Sequence, residues 1–330
     1  MNRLAEHILS AMAARGGWVS SAGMVAALGV SRMTVSKQVR RLRVLGYGIE
    51  ASPRRGYRLA GRTDRPVAEE VQPMLKTQLI GRTYRYFDTL DSTNSFLRSR
   101  IEEFPDGTAV IADAQSRGRG RLRRHWVSPP GVNLYLSVLL KPVAPPLLAP
   151  QLSLVAAAAV LRALHAEGCG EARVKWPNDI LWRGRKMAGI LCEMEAEADL
   201  IHGVIIGIGV NVNTRAFPPA LRRTATSVRA ALGRPVSRPA LAAGILNRLD
   251  EGYAEWIRGG FSAVACFLNE HSFLSGREVI VSLTREKLRG RVERITEAGL
   301  LRVILASGEA QEITSGEVRL CRPRVCGEEK

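Results

Sequence analysis

The chain has 330 residues, 46% hydrophobic and 24% charged, an ordinary globular composition with room for two or three domains. Its net charge of +17 points to a polyanionic partner. Five scattered cysteines (Cys169, Cys192, Cys266, Cys321, Cys326) argue against a disulfide framework and a metal centre and for a reduced, cytoplasmic protein; the longest apolar run, 152–161, is about half the ~20 residues a membrane span needs and reads as a buried helix.

Residues 1–62 predict a winged helix-turn-helix. Leu4, Ile8 and Met12 repeat at fourfold spacing, the mark of a helix with one buried face. A second helix starts near Ser20-Ser21, where a serine hydroxyl can accept from the free amides of the first turn, and runs to about Leu28. Gly29-Val30 makes the turn. Ser31 then caps a third helix with Val35, Val39 and Leu42 on one stripe. Met33, Lys37, Arg40 and Arg41 fall opposite that stripe; with Arg32, Thr34 and Ser36 they form the candidate DNA-binding face. Residues 47–59 read as a hairpin, the wing, with Arg54 and Arg55 at its tip. Residues 1–65 hold twelve Arg and Lys against three Asp and Glu, and that concentration favours phosphate contact.

The polar stretch 63–76, with Pro66 and Pro73, predicts a linker. A mixed α/β domain is predicted over 77–272, with strands at 84–87, 108–112, 134–140, 174–175, 180–182, 186–194 and 204–213. Its helices are expected at 94–103, 152–167 and 240–258. In the last strand Val204, Ile206, Ile208, Val210 and Val212 form one branched apolar face. The other face carries Gly207, Gly209, Asn211 and Asn213, leaving room for something close to the backbone. Residues 273–330 predict a small SH3-like barrel from strands at 278–283, 288–295, 300–305 and 312–320. The fold class is α+β.

Two segments carry the chemistry. In Gln115-Ser116-Arg117-Gly118-Arg119-Gly120-Arg121 every other residue is a guanidinium or a glycine, so a freely bending backbone can fold fork donors around phosphate. The competing reading is a solvated RGG-like tract. In Lys175-Trp176-Pro177-Asn178-Asp179, followed by Lys186 after an Arg183-Gly184 turn, two of only seven lysines sit beside rigid punctuation. A lysine ammonium is a compact charge suited to one carboxylate or phosphate oxygen. Ser92 or Thr93 is first a helix N-cap, and also a donor for a small polar ligand. Trp126 and Trp176 read as core residues rather than as ring-stacking partners.

Taken in order, Ser92-Thr93-Asn94, Gln115 with Gly118-Arg119-Gly120-Arg121, His125-Trp126, Asn133-Leu134-Tyr135, Lys175-Trp176-Pro177-Asn178-Asp179, Lys186-Met187-Ala188-Gly189 and Gly209-Val210-Asn211 resemble the biotin–protein ligases. With the helix-turn-helix in front, the chain resembles their bifunctional bacterial branch, which also represses transcription. The resemblance implies a central domain like that of class II aminoacyl-tRNA synthetases. It implies ATP with Mg²⁺, biotin as substrate, biotinyl-5′-AMP as intermediate, and transfer to the biotin carboxyl carrier protein of acetyl-CoA carboxylase. Its other implied partner is operator DNA, bound by a ligand-promoted homodimer. By family match Ser92, Thr93, Asn94, Gln115, Arg119, Gly120, Arg121 and Lys186 hold biotin, while Arg119, Arg121, Lys175, Asn178 and Asn211 hold ATP. Lys186, Arg121 and Asp179 are the expected catalytic groups. Ser116-Arg117 departs from the pattern by placing a bulky charge at the start of the loop. Two rivals are a lipoate–protein ligase and a transcription factor that senses biotin without catalysis.

Overall fold

In this computed structural model the described residues are 3–197, 200–283 and 286–321; Cys326 and the outer ends of the first and last predicted domains lie outside them. The N-terminal region is α1 (Arg3–Arg15), α2 (Ser21–Leu28), α3 (Arg32–Val44), β1 (Gly48–Ser52) and β2 (Gly56–Gly61). The caps fall where the serines and glycine predict them. Ser20 accepts from the Gly23 amide, Gly29 closes α2 at φ 66°, and Ser31 accepts from the Thr34 amide. Ile8, Met12, Met24, Val35, Val39 and Leu42 form a core of their own. The antiparallel pair β1–β2 is the wing.

The segment 63–76 is more than a polar connection. It contains α4 (Ala68–Val71) and a 3-10 turn over Gln72–Met74. Val67 packs into the N-terminal core and Val71 into the central one, so the segment is an anchor between the two. Its acids look like solvated linker residues in sequence because their partners are distant: Glu69 pairs with Arg41, and Glu70 with Arg62.

The central domain runs through β3 (Tyr84–Leu90), α5 (Thr93–Arg98), β4 (Ala109–Gln115), β5 (Leu134–Leu140), α6 (Ala149–Ala166), β6 (Ala172–Lys175), β7 (Asp179–Trp182), β8 (Arg185–Glu197) and β9 (Leu200–Val210). Three helices follow, α7 (Val228–Leu232), α8 (Arg238–Gly259) and α9 (Ser262–Glu270). The strands form one sheet in the order β3-β4-β5-β9-β8-β7-β6, with only β3–β4 parallel. The helix 146–166, long and apolar enough to cross a membrane, lies mostly buried in this domain's core, with α8 packed beside it. The sequence reading missed α7 and α9, both short. It also placed α5 too long, since the helix stops at Arg98.

The C-terminal region is an antiparallel sheet of β10 (Glu278–Ser282), β11 (Lys287–Ile295), β12 (Leu301–Leu305), β13 (Ala310–Ile313) and β14 (Glu317–Leu320), ordered β13-β12-β11-β10-β14. The single strand expected over 312–320 is two strands. A bend at Thr314-Ser315 sends them to opposite edges of the sheet. Trp176 joins this region to the ligase sheet: it is buried, and its Nε1 donates to the Gly299 carbonyl at 3.1 Å.

Candidate active site: two cavities that share a lysine

The arginine segment is a short hairpin in the structure. Trp126 N donates to Gly118 O at 2.9 Å and Gly120 N to Arg124 O at 2.8 Å, with a bridge between Arg119 and His125. Its tip holds Leu122 at φ 55° and Arg123 at φ 57°, a left-handed pair that side chains rarely adopt. Arg121 Nη1 donates to Asn178 Oδ1 at 3.1 Å, and Asn178 is itself fixed to the Ile190 carbonyl at 2.8 Å. Arg119, expected at phosphate, lines the cavity beneath the hairpin, and its guanidinium lies 2.9 Å from Glu193. Arg117 is exposed and pairs with Asp91 at 3.4 Å, so the bulky charge at the loop's start lies outside both cavities.

Local chain geometry places Lys186. Arg183 (φ 48°) and Gly184 (φ 76°) form the two-residue turn of the β7–β8 hairpin, as the sequence predicts. Two residues later the register slips: Leu181 faces Lys186 while Ile180 faces Ala188, leaving Met187 as an extra residue. Such a bulge re-aims side chains. Met187 goes into the core, and Lys186 Nζ comes to 2.6 Å from Asp179 Oδ1 and 5.3 Å from the centre of the Trp126 ring. The Lys186 backbone is pinned by Thr224 O and Thr226 N, at 2.7 and 2.9 Å.

Two cavities meet at this lysine, with Gly120, Arg121, Trp126 and Asn178 as their other common walls. The smaller, about 50 Å³, lies over the glycine face of β9. Its polar residues are locked to one another. Ser137 Oγ is hydrogen-bonded to Thr93 Oγ1 and to Asn94 Oδ1, both at 2.6 Å, and Gln115 Oε1 accepts from the Thr93 amide at 2.9 Å. Asn94 Nδ2 donates to Glu193 at 2.8 Å. Ser92 is the N-cap of α5. The room left by the glycines is taken by side chains: a Cβ at Gly207 would lie 2.2 Å from Asn94 Oδ1, and one at Gly209 2.6 Å from the Trp126 ring.

The larger cavity, about 310 Å³, is cationic. Arg121, Arg124, Lys175 and Lys186 line it against Asp179 and Glu317. Arg124 bonds Glu317 at 2.8 Å, so the C-terminal region closes one side. Burial holds the Lys175 ammonium below its usual 10.5 and Lys186 adds repulsion, with Asp179 pulling against both. Burial likewise lowers the Arg121 guanidinium from its ordinary value. Asn211 reaches this cavity, but its Nδ2 is spent on the Thr226 and Lys186 carbonyls at 3.1 and 3.4 Å.

The structure thus gathers Lys186, Asp179, Arg121, Lys175 and Asn178 in one place. Trp126, read in sequence as core, is a site residue whose buried Nε1 has no partner among the described residues. Glu193 and Glu317 were also missed, because nothing near them in sequence marks them. On the N-terminal domain Arg32, Met33, Ser36, Lys37 and Arg40 lie on the exposed face of α3, with Met33 82% exposed. Arg41, expected beside them, is turned to Glu69 at 3.2 Å. Thr34 is half-buried and bonds Ser31 at 2.9 Å. At the wing Arg54 is exposed, and Arg55 stacks on the Trp18 ring at 4.5 Å.

Comparison with known proteins divides the chain in the same way. Residues 5–58 match the HTH domain family, residues 86–211 the Biotin/lipoate A/B protein ligase family, and residues 274–320 the Biotin protein ligase C terminal domain. The bifunctional ligase/repressor BirA of Bacillus spizizenii is 35% identical over 297 residues, 89% of this chain and 91% of that one. That of Escherichia coli is 34% identical over 241 residues, 73% and 74% of the two chains. Among solved structures, the biotin protein ligase of Aquifex aeolicus in complex with biotin and ATP superposes with a TM-score of 0.64 at 32% identity, over 73% of this chain and 99% of its own.

Proposed function

The chain belongs to the biotin protein ligases of the bifunctional ligase/repressor type, and we propose that its smaller cavity takes the biotin rings and its larger one ATP, with the reacting groups meeting at Lys186. The observation that carries this assignment is the shared lysine. Two anions, a carboxylate and a triphosphate, repel each other, and Lys186 is a cation on the boundary between the hydrogen-bonded cavity and the more strongly cationic one.

A biotin carboxylate oxygen attacks the α-phosphorus of ATP, and the bond to pyrophosphate breaks. Lys186 neutralises the attacking carboxylate while Arg121 and Lys175 face the charge that moves onto the leaving group. Asn178 holds Arg121 in place. The hairpin excludes water, which protects the mixed anhydride from hydrolysis. The Trp126 Nε1 donor is available to an anhydride or ribose oxygen. In the second step the carrier lysine amine attacks the acyl carbon and AMP leaves; Asp179 is the carboxylate placed to meet that amine. Mg²⁺ would lessen the charge on the phosphates. It binds through one or two carboxylates plus substrate phosphates, a donor set that Asp179 and Glu317 on the cavity wall can supply.

The N-terminal domain makes the chain a DNA-binding repressor as well as a ligase. We place its DNA contacts at Arg32, Lys37, Arg40, Arg54 and Arg55, in a cytoplasmic homodimer that forms when biotinyl-5′-AMP is bound.

Transfer of radiolabelled biotin to a carrier domain tests the site assignment, together with pyrophosphate exchange run with biotin and with lipoate. Wild type should exchange with biotin and label the carrier, and Lys186→Ala should do neither. Exchange with lipoate alone, or full activity of Lys186→Ala, overturns it.

A further inference from the structure

Among the described residues the largest fully buried side chain is a cation, Arg238, the first residue of α8, 2% exposed. A guanidinium is held inside a protein only by partners that answer its charge and its donors. Arg238 has them on two sides. Inward, Nη1 donates to Asp113 Oδ1 at 2.7 Å and to the Asn133 carbonyl at 3.3 Å. Outward, Nε donates to Asp64 Oδ2 at 3.0 Å and the backbone amide to Asp64 Oδ1 at 2.9 Å.

The inward partners adjoin the ligand site, Asn133 as part of the larger cavity's wall. Asp113 lies on β4 two residues before Gln115, which holds Thr93 in the smaller cavity, and its second oxygen accepts from Gly131 N at 3.0 Å. Asn133 Oδ1 accepts from Val212 N at 2.9 Å and from Thr214 Oγ1 at 2.8 Å, where the chain enters the wall of the larger cavity. The outward partner lies in the segment that joins the DNA-binding domain to the ligase domain. Asp64 follows the wing strand β2 by three residues, and its neighbours Arg62 and Arg65 are clamped to Glu70 and Asp88. The two arms also differ in environment. Asp113 is 9% exposed and Asp64 46%, so Asp64 can move away while Asp113 still neutralises the buried cation.

We propose that Asp64 and Arg238 form a tether through which ligand occupancy acts on the placement of the DNA-binding domain within one chain. The proposal rests on the ligase/repressor reading and adds an intrachain route to it. A shift of the Asp113 strand or the 131–133 turn on ligand binding changes where the guanidinium lies, and therefore how well it holds Asp64. By linkage the domain's placement then acts back on ligand affinity by the same factor, typically about 5- to 150-fold between coupled sites. A purely structural staple would stabilise both ligand states equally.

Hydrogen–deuterium exchange of the full chain, with and without biotin plus ATP, separates tether from staple. In wild type the ligands should slow exchange in 115–131 and also in 61–66. In Asp64→Ala the response of 115–131 should persist and that of 61–66 disappear. Transfer of biotin should stay within about twofold of wild type, while the gain in operator affinity on adding biotin plus ATP falls about fivefold or more. Arg238→Lys cannot span both carboxylates, and it should also raise the KM for biotin with kcat nearly unchanged. An identical response of 61–66 in Asp64→Ala, or none in wild type, overturns the tether. Failure of the ligands to protect 115–131 in wild type would overturn the ligase reading, and the tether with it.

Discussion

The two lobes of the site are built on opposite principles. In the smaller one Thr93, Asn94, Gln115 and Ser137 bond one another over a glycine floor. In the larger one four cations face two carboxylates, and burial keeps Lys175 and Arg121 under electrostatic tension. A locked neutral network discriminates by shape and hydrogen bonding, since a wrong group leaves buried polar atoms unpaired. A basin of uncompensated charge binds anions strongly and with little shape selectivity. Damage to either lobe should therefore appear in a different kinetic constant, with the walls they share, Lys186 above all, the exception.

Lys186→Ala should give the largest effect, because it breaks both lobes at once. Removing a charge stabiliser from a reacting centre costs about 10²- to 10³-fold in kcat; single-turnover formation of biotinyl-5′-AMP measures it. A loss confined to KM would mean that the lysine only binds. Next comes Gly207→Ala. The new Cβ would fall 2.2 Å from Asn94 Oδ1, so the Ser137–Thr93–Gln115 network must shift. Overpacking of this kind costs ~1–3 kcal/mol. The KM for biotin should rise about tenfold or more with the KM for ATP unchanged, and equal rises in both would dissolve the distinction between the lobes.

What could be read from the sequence was whatever one segment announces by itself. The serine caps at Ser20 and Ser31, the turn before Lys186 and the glycine face of β9 each depend on neighbours a few residues away. What stayed hidden depends on distant partners. The pairing of Arg119 with Glu193 at 2.9 Å, and of Arg41 with Glu69 at 3.2 Å, has no mark in the sequence around either arginine. Trp126 shares the composition of any core tryptophan; only the hairpin's return path sets it over Gly209. The bulge at Met187 leaves no mark in the sequence, and it decides where Lys186 points.

Lys175 sharpens the charge side of the comparison through pH. Burial, with Lys186 adding, lowers its pKa below 10.5, so the cation is lost earlier than from an ordinary lysine as pH rises. The KM for ATP should climb several-fold on the alkaline side, and Lys175→Arg should move that limb upward. Stability runs the other way. Between the lowered pKa and 10.5 the unfolded chain holds more protons than the folded one, so the empty enzyme gains stability as pH rises through that window. An alkaline limb that Lys175→Arg leaves in place would assign the titration to another group.

The smallest effect concerns the wall common to both lobes. Arg123 sits at φ 57°, where a side chain costs ~1–2 kcal/mol that glycine does not. Arg123→Gly removes that strain from the closed hairpin and gives the open one more freedom, a loss of roughly 0.5–1 kcal/mol. The balance favours closure, by about 0.75 kcal/mol at mid-range, and so slows release of biotinyl-5′-AMP by roughly three- to fourfold. Arg123 lines neither cavity, so the KM values for biotin and ATP should both hold, or fall together as the shared wall closes. Faster release would mean that the freedom of the open loop outweighs the strain of the closed one, and that the left-handed pair at the tip does not oppose closure.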